Sequence, residues 1–302
     1  MMNERGHSQS LEPRPASTVV LVREHEESLQ VYLLKRSPGN SFFPGNYVFP
    51  GGGVSTVDRD APLWERHLDL PLEEVVRRLG GGLGEEEIVG SGVCAIRETF
   101  EEAGVLLCRR REGAGDRFEK ICLLRTSEGL PKGWLGKAVE GDGWTLAFSL
   151  LARWSHWITP EAMPKRFDTR FFLAFMPSGQ SCTPDQRETT HGVWLTPEDA
   201  LKANLRGETR LSPPTLVTLS DLFPFKSLPE MKAALETRTW GKPLLPVFRP
   251  LSGGGVIIEP WDPMYGREFS IDASRLASTV VPVGEPFSRI WYCEGIWRPV
   301  RP

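Results

Sequence analysis

Two apolar, β-branched runs, residues 18–23 and 29–35, flank a charged stretch at 24–28 and predict a β-hairpin. A loop rich in Gly, Pro and Asn follows at 37–46, then a short strand at 47–49 that runs into a glycine turn. Pro71, with Leu72, Val75, Val76 and Leu79 spaced for one face, predicts a short helix ended by the glycines of 80–84. Ser91 is a candidate N-cap for a longer helix, and Gly104 its C′ glycine. Further on, 105–108, 154–158, 170–175 and 193–195 read as strands, while 145–152 fits either helix or strand. Thr196-Pro197 opens a helix to about Ala203, Pro213-Pro214 another to Leu222, and 229–237 a third. Past residue 240, 256–258 and a weakly alternating 289–297 predict strands added to the core. Mixed strands with a few long helices indicate an α/β class whose sheet is covered on both faces.

Within the longer helix, Arg97-Glu98-Thr99-Phe100-Glu101-Glu102-Ala103-Gly104-Val105 concentrates the chemistry. At about 100° per residue, Glu98, Glu101 and Glu102 share one arc, and Ile96, Phe100 and Ala103 lie opposite, free to pack on a core. Like charges on one face repel unless a cation neutralises them. A hard divalent ion such as Mg²⁺ suits an all-oxygen set, and Arg97 can brace one carboxylate. A solvated acidic face is the alternative.

Arg-Glu-x-x-Glu-Glu-x-Gly followed by an aliphatic residue resembles the second half of the Nudix box, with Thr99 as the one weak match, and Phe49-Pro50-Gly51-Gly52-Gly53-Val54 resembles the first. Counting back from Arg97 by the usual spacing, Gly-x5-Glu-x7-Arg-Glu, lands on Leu83 and Val89 instead of glycine and glutamate. With Gly52 as the box glycine, about 30 extra residues separate the halves. An interrupted box resembles the coenzyme A diphosphatase subgroup, as do Leu33-Leu34-Lys35-Arg36-Ser37, Arg166-Phe167-Asp168-Thr169, Trp194-Leu195-Thr196-Pro197 and Pro213-Pro214.

The resemblance implies a Nudix α/β/α sandwich with mixed sheet, insertions and a C-terminal extension. Its expected organisation is a loose tail at 1–17, a hydrolase domain at 18–210 with insertions near 55–90 and 109–139, and a helical and β extension at 211–302 packed on the core. It implies metal-dependent cleavage of a diphosphate, of coenzyme A or acyl-coenzyme A to 3′,5′-ADP and 4′-phosphopantetheine. ADP-ribose, a dinucleotide, a nucleotide sugar, or a non-catalytic nucleotide-binding role remain open. Mg²⁺ or Mn²⁺ would be held by Glu98, Glu101 and Glu102 with Arg97 as brace. Glu188 is the candidate fourth ligand or base, or else an exposed loop carboxylate. Arg36, Gly51, Gly52, Arg166 and Asp168 are candidate substrate contacts, although Asp168 could instead pair with Arg166, and the glycines could serve only a turn. Trp154 and Trp157 could stack a base or fill the core. His156 and His191 lack metal-ligand spacing and are taken as structural or exposed.

Composition narrows the partners. A net charge of −3 offers no global case for nucleic acid or an anionic membrane, and no stretch approaches the roughly 20 apolar residues of a membrane span. The expected partner is a small nucleoside diphosphate derivative. Five scattered cysteines without a C-x-x-C pair fit neither a disulfide scaffold nor a thiolate zinc site. The chain ends Arg298-Pro299-Val300-Arg301-Pro302, unlike a Ser-Lys-Leu signal, so cytoplasmic residence is expected. Homodimers are common in the superfamily, but no sequence signature specifies one.

Overall fold

The hairpin forms where the apolar runs predict it. In the computed structural model, which describes residues 11–40, 43–110 and 117–302, β1 (Arg14–His25) and β2 (Ser28–Arg36) meet at Glu26 and Glu27. Both turn residues have positive φ, 51° and 59°, the twist a two-residue hairpin needs. β1 starts four residues before the predicted boundary, so 14–17 belong to the sheet; residues 1–10 of the expected tail lie outside the described residues.

Away from the turn the two strands part, and the glycine segment enters between them. β3 (Tyr47–Val48) pairs with β2, and β4 (Gly51–Gly53) pairs with Ala16–Thr18 of β1. Short helices α1 (Ala61–Trp64) and α2 (Leu72–Val75) follow, the latter continued by a wider turn over Val76–Gly80. Then comes α3 (Glu85–Ala103). It begins earlier than the Ser91 cap expected from sequence. Gly84 is the N-cap, and the Glu87 side chain accepts its N–H at 3.0 Å, while Ser91 is buried mid-helix, its carbonyl accepting Ser17 Oγ at 2.8 Å. Gly104 closes the helix at φ 74°, as predicted.

β5 (Cys108–Arg110) and β6 (Trp144–Leu146) pair with each other, bracketing α4 (Arg117–Thr126) and α5 (Trp134–Asp142). Within the insertion expected at 109–139, Trp134, Leu135, Ala138 and Val139 are buried in the same core cluster as Ile96, Phe100 and Ala103 of α3. Residues 111–116 of this insertion lie outside the described residues. β7 (Leu151–Ile158), β8 (Phe167–Phe175) and β9 (Thr189–Leu195) complete a mixed sheet of order β3-β2-β1-β8-β7, with β9 on the free edge of β2 and β1–β8 the parallel pair. Thr196 Oγ1 caps α6 (Pro197–Leu205), and α7 (Pro213–Leu222) and α8 (Leu228–Thr237) follow. A second, antiparallel sheet contains β10 (Val247–Leu251), β11 (Gly254–Ile258), β12 (Arg289–Cys293) and β13 (Ile296–Val300). The weak alternation of 289–297 is therefore two strands, turning at Glu294 and Gly295 with positive φ.

Strand alternation divides the core. Val19, Leu21, Phe172 and Ala174 pack on α3, whose Ile96, Phe100 and Ala103 are fully buried. Val20, Val22, Phe171 and Leu173 face α6, α7 and the C-terminal sheet through Ile257, Ile290 and Trp297. The result is an α/β architecture with both faces of the mixed sheet covered. No helix among the described residues is long and apolar enough to cross a membrane.

Candidate active site

α3 delivers its carboxylates to the glycine strand because the sheet leaves room there. A Cβ on Gly52 would sit 2.5 Å from Glu98 Cδ, so the carboxylate occupies the space a side chain would fill. Gly51 N–H donates to Glu102 Oε2 at 2.9 Å. The glycines thus do more than make a turn: they let one strand approach two acidic side chains. Thr99, the weak match to an aliphatic position, is fully buried and donates Oγ1–H to Ala95 O at 2.7 Å, which satisfies its hydroxyl within the helix.

Arg97 ties the cluster together. Its Nη1 donates to Glu98 Oε1 at 2.7 Å and Glu101 Oε2 at 2.9 Å, and Nη2 donates to Gly53 O at 3.0 Å. Nε and Nη2 grip Asp58 in a two-pronged pair at 2.9 and 2.8 Å. Sequence reasoning missed Asp58 by counting back from Arg97. Counting forward from Gly52 by five intervening residues reaches Asp58, so the box carries its acidic residue at the usual distance from glycine. With Asp58 as that residue the interruption opens after it, and the fold closes the gap between Asp58 and Arg97. Trp134 was also missed. From α5 it packs on Phe100 with ring centroids 4.9 Å apart and donates Nε1–H to Glu101 Oε1 at 2.6 Å. No local pattern marks that role.

Burial makes two of the helix carboxyls, Glu98 and Glu102, poor acids. Desolvation raises Glu98 to about 7; Glu101 and Glu188 push the same way while Arg97 opposes. Glu102 is raised well above its usual range by burial, then by Glu98, against the Gly51 hydrogen bond and Arg36. Glu188 is exposed on the loop before β9, yet its charge reaches both. Buried Asp185 fixes that loop by accepting the N–H groups of Glu188 and Thr189 at 3.1 and 2.9 Å.

Glu98, Glu101, Arg97, Gly51, Gly52, Arg36 and Glu188 line one cavity of about 830 Å³. Arg36 stands at a register shift in β2 and donates Nη2–H to Asn40 Oδ1 at 2.7 Å, while its buried Nε has no partner among the described residues. Two candidates are absent from the cavity lining. Arg166 is buried and does not line the cavity; it donates to Thr159 O at 3.1 Å and Leu11 O at 2.9 Å and so ties chain segments together behind the lining. Asp168 bonds neither Arg166 nor the cavity: it meets His156 Nε2 at 2.6 Å, on the opposite face of β8 from Phe167, Thr169 and Phe171, which do line the cavity. His156 is thereby structural. Trp157 lines the cavity, whereas Trp154 is buried under the Arg238 guanidinium, 3.6 Å from its ring centroid.

Residues 76–222 match the NUDT19 Nudix domain family. The human acyl-coenzyme A diphosphatase NUDT19 is 30% identical over 87% of this chain and 81% of its own length, and the chicken protein of that name is 28% identical over 86% and 81%. The chain belongs to the NUDT19-like Nudix hydrolases. A solved Nudix hydrolase from Alicyclobacillus acidocaldarius superposes with a TM-score of 0.60 at 26% identity, covering 76% of this chain and 98% of that one. As a Nudix hydrolase the protein acts on diphosphates, and family members generally use divalent metal ions.

The donor set of this Nudix site suits such an ion. Buried, mutually repelling carboxylates with no imidazole or thiolate among them favour a hard cation. As placed, no three acidic, imidazole or thiol groups among the described residues converge tightly enough to enclose one. Arg97 holds Glu98 and Glu101, and Glu102 is turned to Gly51. Mg²⁺ typically needs only one or two protein carboxylates beside substrate oxygens and water, so the fit does not require a closed cage.

Proposed function

We propose that the protein is a Mg²⁺- or Mn²⁺-dependent diphosphatase of coenzyme A or acyl-coenzyme A, releasing 3′,5′-ADP and the 4′-phosphopantetheine product. The carrying observation is that Glu98, Glu101, Arg36 and Glu188 share one cavity with the glycine strand, in a chain 30% identical to a relative named for that reaction. In this reading residues 18–210 carry the chemistry and 211–302 complete the cavity. Glu98, Glu101 and Glu102 would hold the cation, with Arg97 keeping the rotamers of Glu98 and Glu101 in place and Gly51 N–H that of Glu102. When bound, the cation neutralises phosphate oxygens and makes water a better nucleophile. The free Nε–H of Arg36 faces a phosphate oxygen of the diphosphate, and Gly51 and Gly52 let the backbone approach. Water adds to one phosphorus, the bond from that phosphorus to the bridging oxygen breaks, and Glu188 takes the proton from the water.

The test is a panel of diphosphates, including coenzyme A, ADP-ribose, dinucleotides and nucleotide sugars, assayed with Mg²⁺ and Mn²⁺ and resolved by product mass. Coenzyme A compounds are expected to turn over fastest. Glu102→Gln keeps the length and the acceptor for Gly51 N–H but removes the charge, so it should abolish turnover with little change in melting temperature. A wild-type chain that releases no product from any diphosphate in the presence of metal overturns the enzyme reading in favour of a binding module.

A further inference from the structure

The cavity is far larger and more apolar than a diphosphate requires. Its acidic end is formed by α3, β4 and the Glu188 loop, whereas the other end is walled by Trp157, Met163 and Phe167 of the main sheet region and by Phe248, Ile257 and Tyr292 of the C-terminal sheet. Phe248 and Ile257 are register partners across β10 and β11, so the second sheet presents a paired apolar surface. Leu244 brings the sheet there: its N–H donates to His156 O and its carbonyl accepts Ile158 N–H, both at 2.8 Å, along the free edge of β7. The N-terminus of α7 also lines the cavity, but Pro213 and Pro214 fill its first positions and offer no N–H to an anion. Among the described lining residues the cations are Arg36 and Arg97, and the guanidinium of Arg97 is already held by Asp58, Glu98, Glu101 and Gly53 O.

We infer that this apolar end is the site of the thioester-bearing arm and sets the acyl-chain preference; the inference rests on the coenzyme A reading above. Two arms leave the diphosphate of such a substrate. One ends in a ribose with a doubly charged 3′-phosphate, the other in a neutral acylated chain. Burying a phosphate against aromatic and aliphatic side chains without a free cation is strongly unfavourable, whereas burying methylenes there is favourable. The neutral arm therefore takes the apolar end, and the 3′-phosphate points to solvent. Ten or so apolar groups in a cavity of this size fall within the usual range for a ligand site.

The test is kcat/KM of the full-length protein for coenzyme A and its acetyl, butyryl, octanoyl and dodecanoyl esters, with 3′-dephospho-coenzyme A alongside. Each methylene that enters the wall tightens binding by up to about fourfold, so specificity should climb at least tenfold from acetyl to octanoyl, and removing the 3′-phosphate should change it less than threefold. Met163→Glu and Phe248→Asp come from different elements and are both only half buried, so their folding is checked by melting temperature. Each should collapse the octanoyl-to-free-coenzyme-A ratio towards one. A flat chain-length profile in the wild type overturns the inference without needing any variant. So does an equal fall for all substrates in both variants. Failure to cleave any coenzyme A compound would remove the substrate reading and the arm site with it, whereas a flat profile with active cleavage removes the arm site alone.

Discussion

Gly52→Ala separates the needs of the fold from those of the site. The backbone there is not in the left-handed region, so alanine introduces no conformational strain. The entire effect comes from one methyl group placed 2.5 Å from Glu98 Cδ and 2.8 Å from Oε2, well inside van der Waals contact. The obstructing atoms belong to the end of a flexible side chain, so Glu98 can swing away instead of forcing β4 off β1. Doing so breaks its 2.7 Å bond to Arg97, and overpacking of this kind costs about 1–3 kcal/mol. Activity should suffer more than stability. Displacing a group that positions or forms a metal site typically lowers metal affinity or rate about 10–100-fold. Mn²⁺ titration calorimetry and kcat/KM as a function of metal concentration read the two effects, and raising the metal should recover part of the rate. Gly53→Ala is the matched control. A Cβ there meets nothing within 4 Å, and Arg97 contacts only its carbonyl. Its metal affinity should stay within about twofold of wild type, as a surface methyl with no contact predicts. If Gly52→Ala binds Mn²⁺ and turns over like wild type, or if Gly53→Ala is equally damaging, the argument that glycine makes room for Glu98 is wrong.

Other outcomes follow from the same geometry. Trp134→Phe keeps the ring against Phe100 but loses the charged hydrogen bond to Glu101, worth about 1.5–3 kcal/mol; a metal affinity unchanged within error would show that Glu101 needs no such anchor. Glu98, raised from 4.5 to about 7, holds a proton in the folded metal-free protein that it would lose unfolded. The stability from this group is therefore present below pH 4.5 and lost as pH rises through 7, and metal should restore it by displacing that proton; urea melts with and without Mg²⁺ across this range check the sign. Glu259, just past the end of β11, is fully buried, both its oxygens lack a partner among the described residues, and burial raises it to about 8, with Asp221 adding to the shift. Stability should fall by up to about 1.4 kcal/mol per pH unit between 4.5 and 8, and Glu259→Gln should flatten that slope; an unchanged slope would place the cause elsewhere.

Much of the site was legible because its parts are local. Glu98, Glu101 and Glu102 share a helix face by spacing alone, Gly104 ends that helix by its left-handed φ, and Thr196 and the paired prolines mark helix starts. Glu188 could be singled out by its position before a strand, though only the loop anchored on Asp185 brings it to the cavity. Where the reading went astray, the information was not local. Arg166 and Asp168 lie beside Phe167 and Thr169 in one apolar strand, and period-two alternation says that neighbours face opposite ways without saying which face holds the site. The parallel pairing of β8 with β1 decided it, turning Phe167, Thr169 and Phe171 to the cavity and Asp168 to His156.

By itself, then, the sequence determined the family, the acidic helix and the kind of reaction, since these depend on residue types at helical spacing and on a glycine run. The tertiary structure decided what that helix works with. Asp58 meets Arg97 only because the chain folds the inserted helices aside. Trp134 reaches Glu101 only because α5 packs on α3. The apolar end of the cavity exists only because a second sheet, formed by strands that begin only at Val247, lies against the main one, and side-chain burial between distant elements is written in no single stretch of chain.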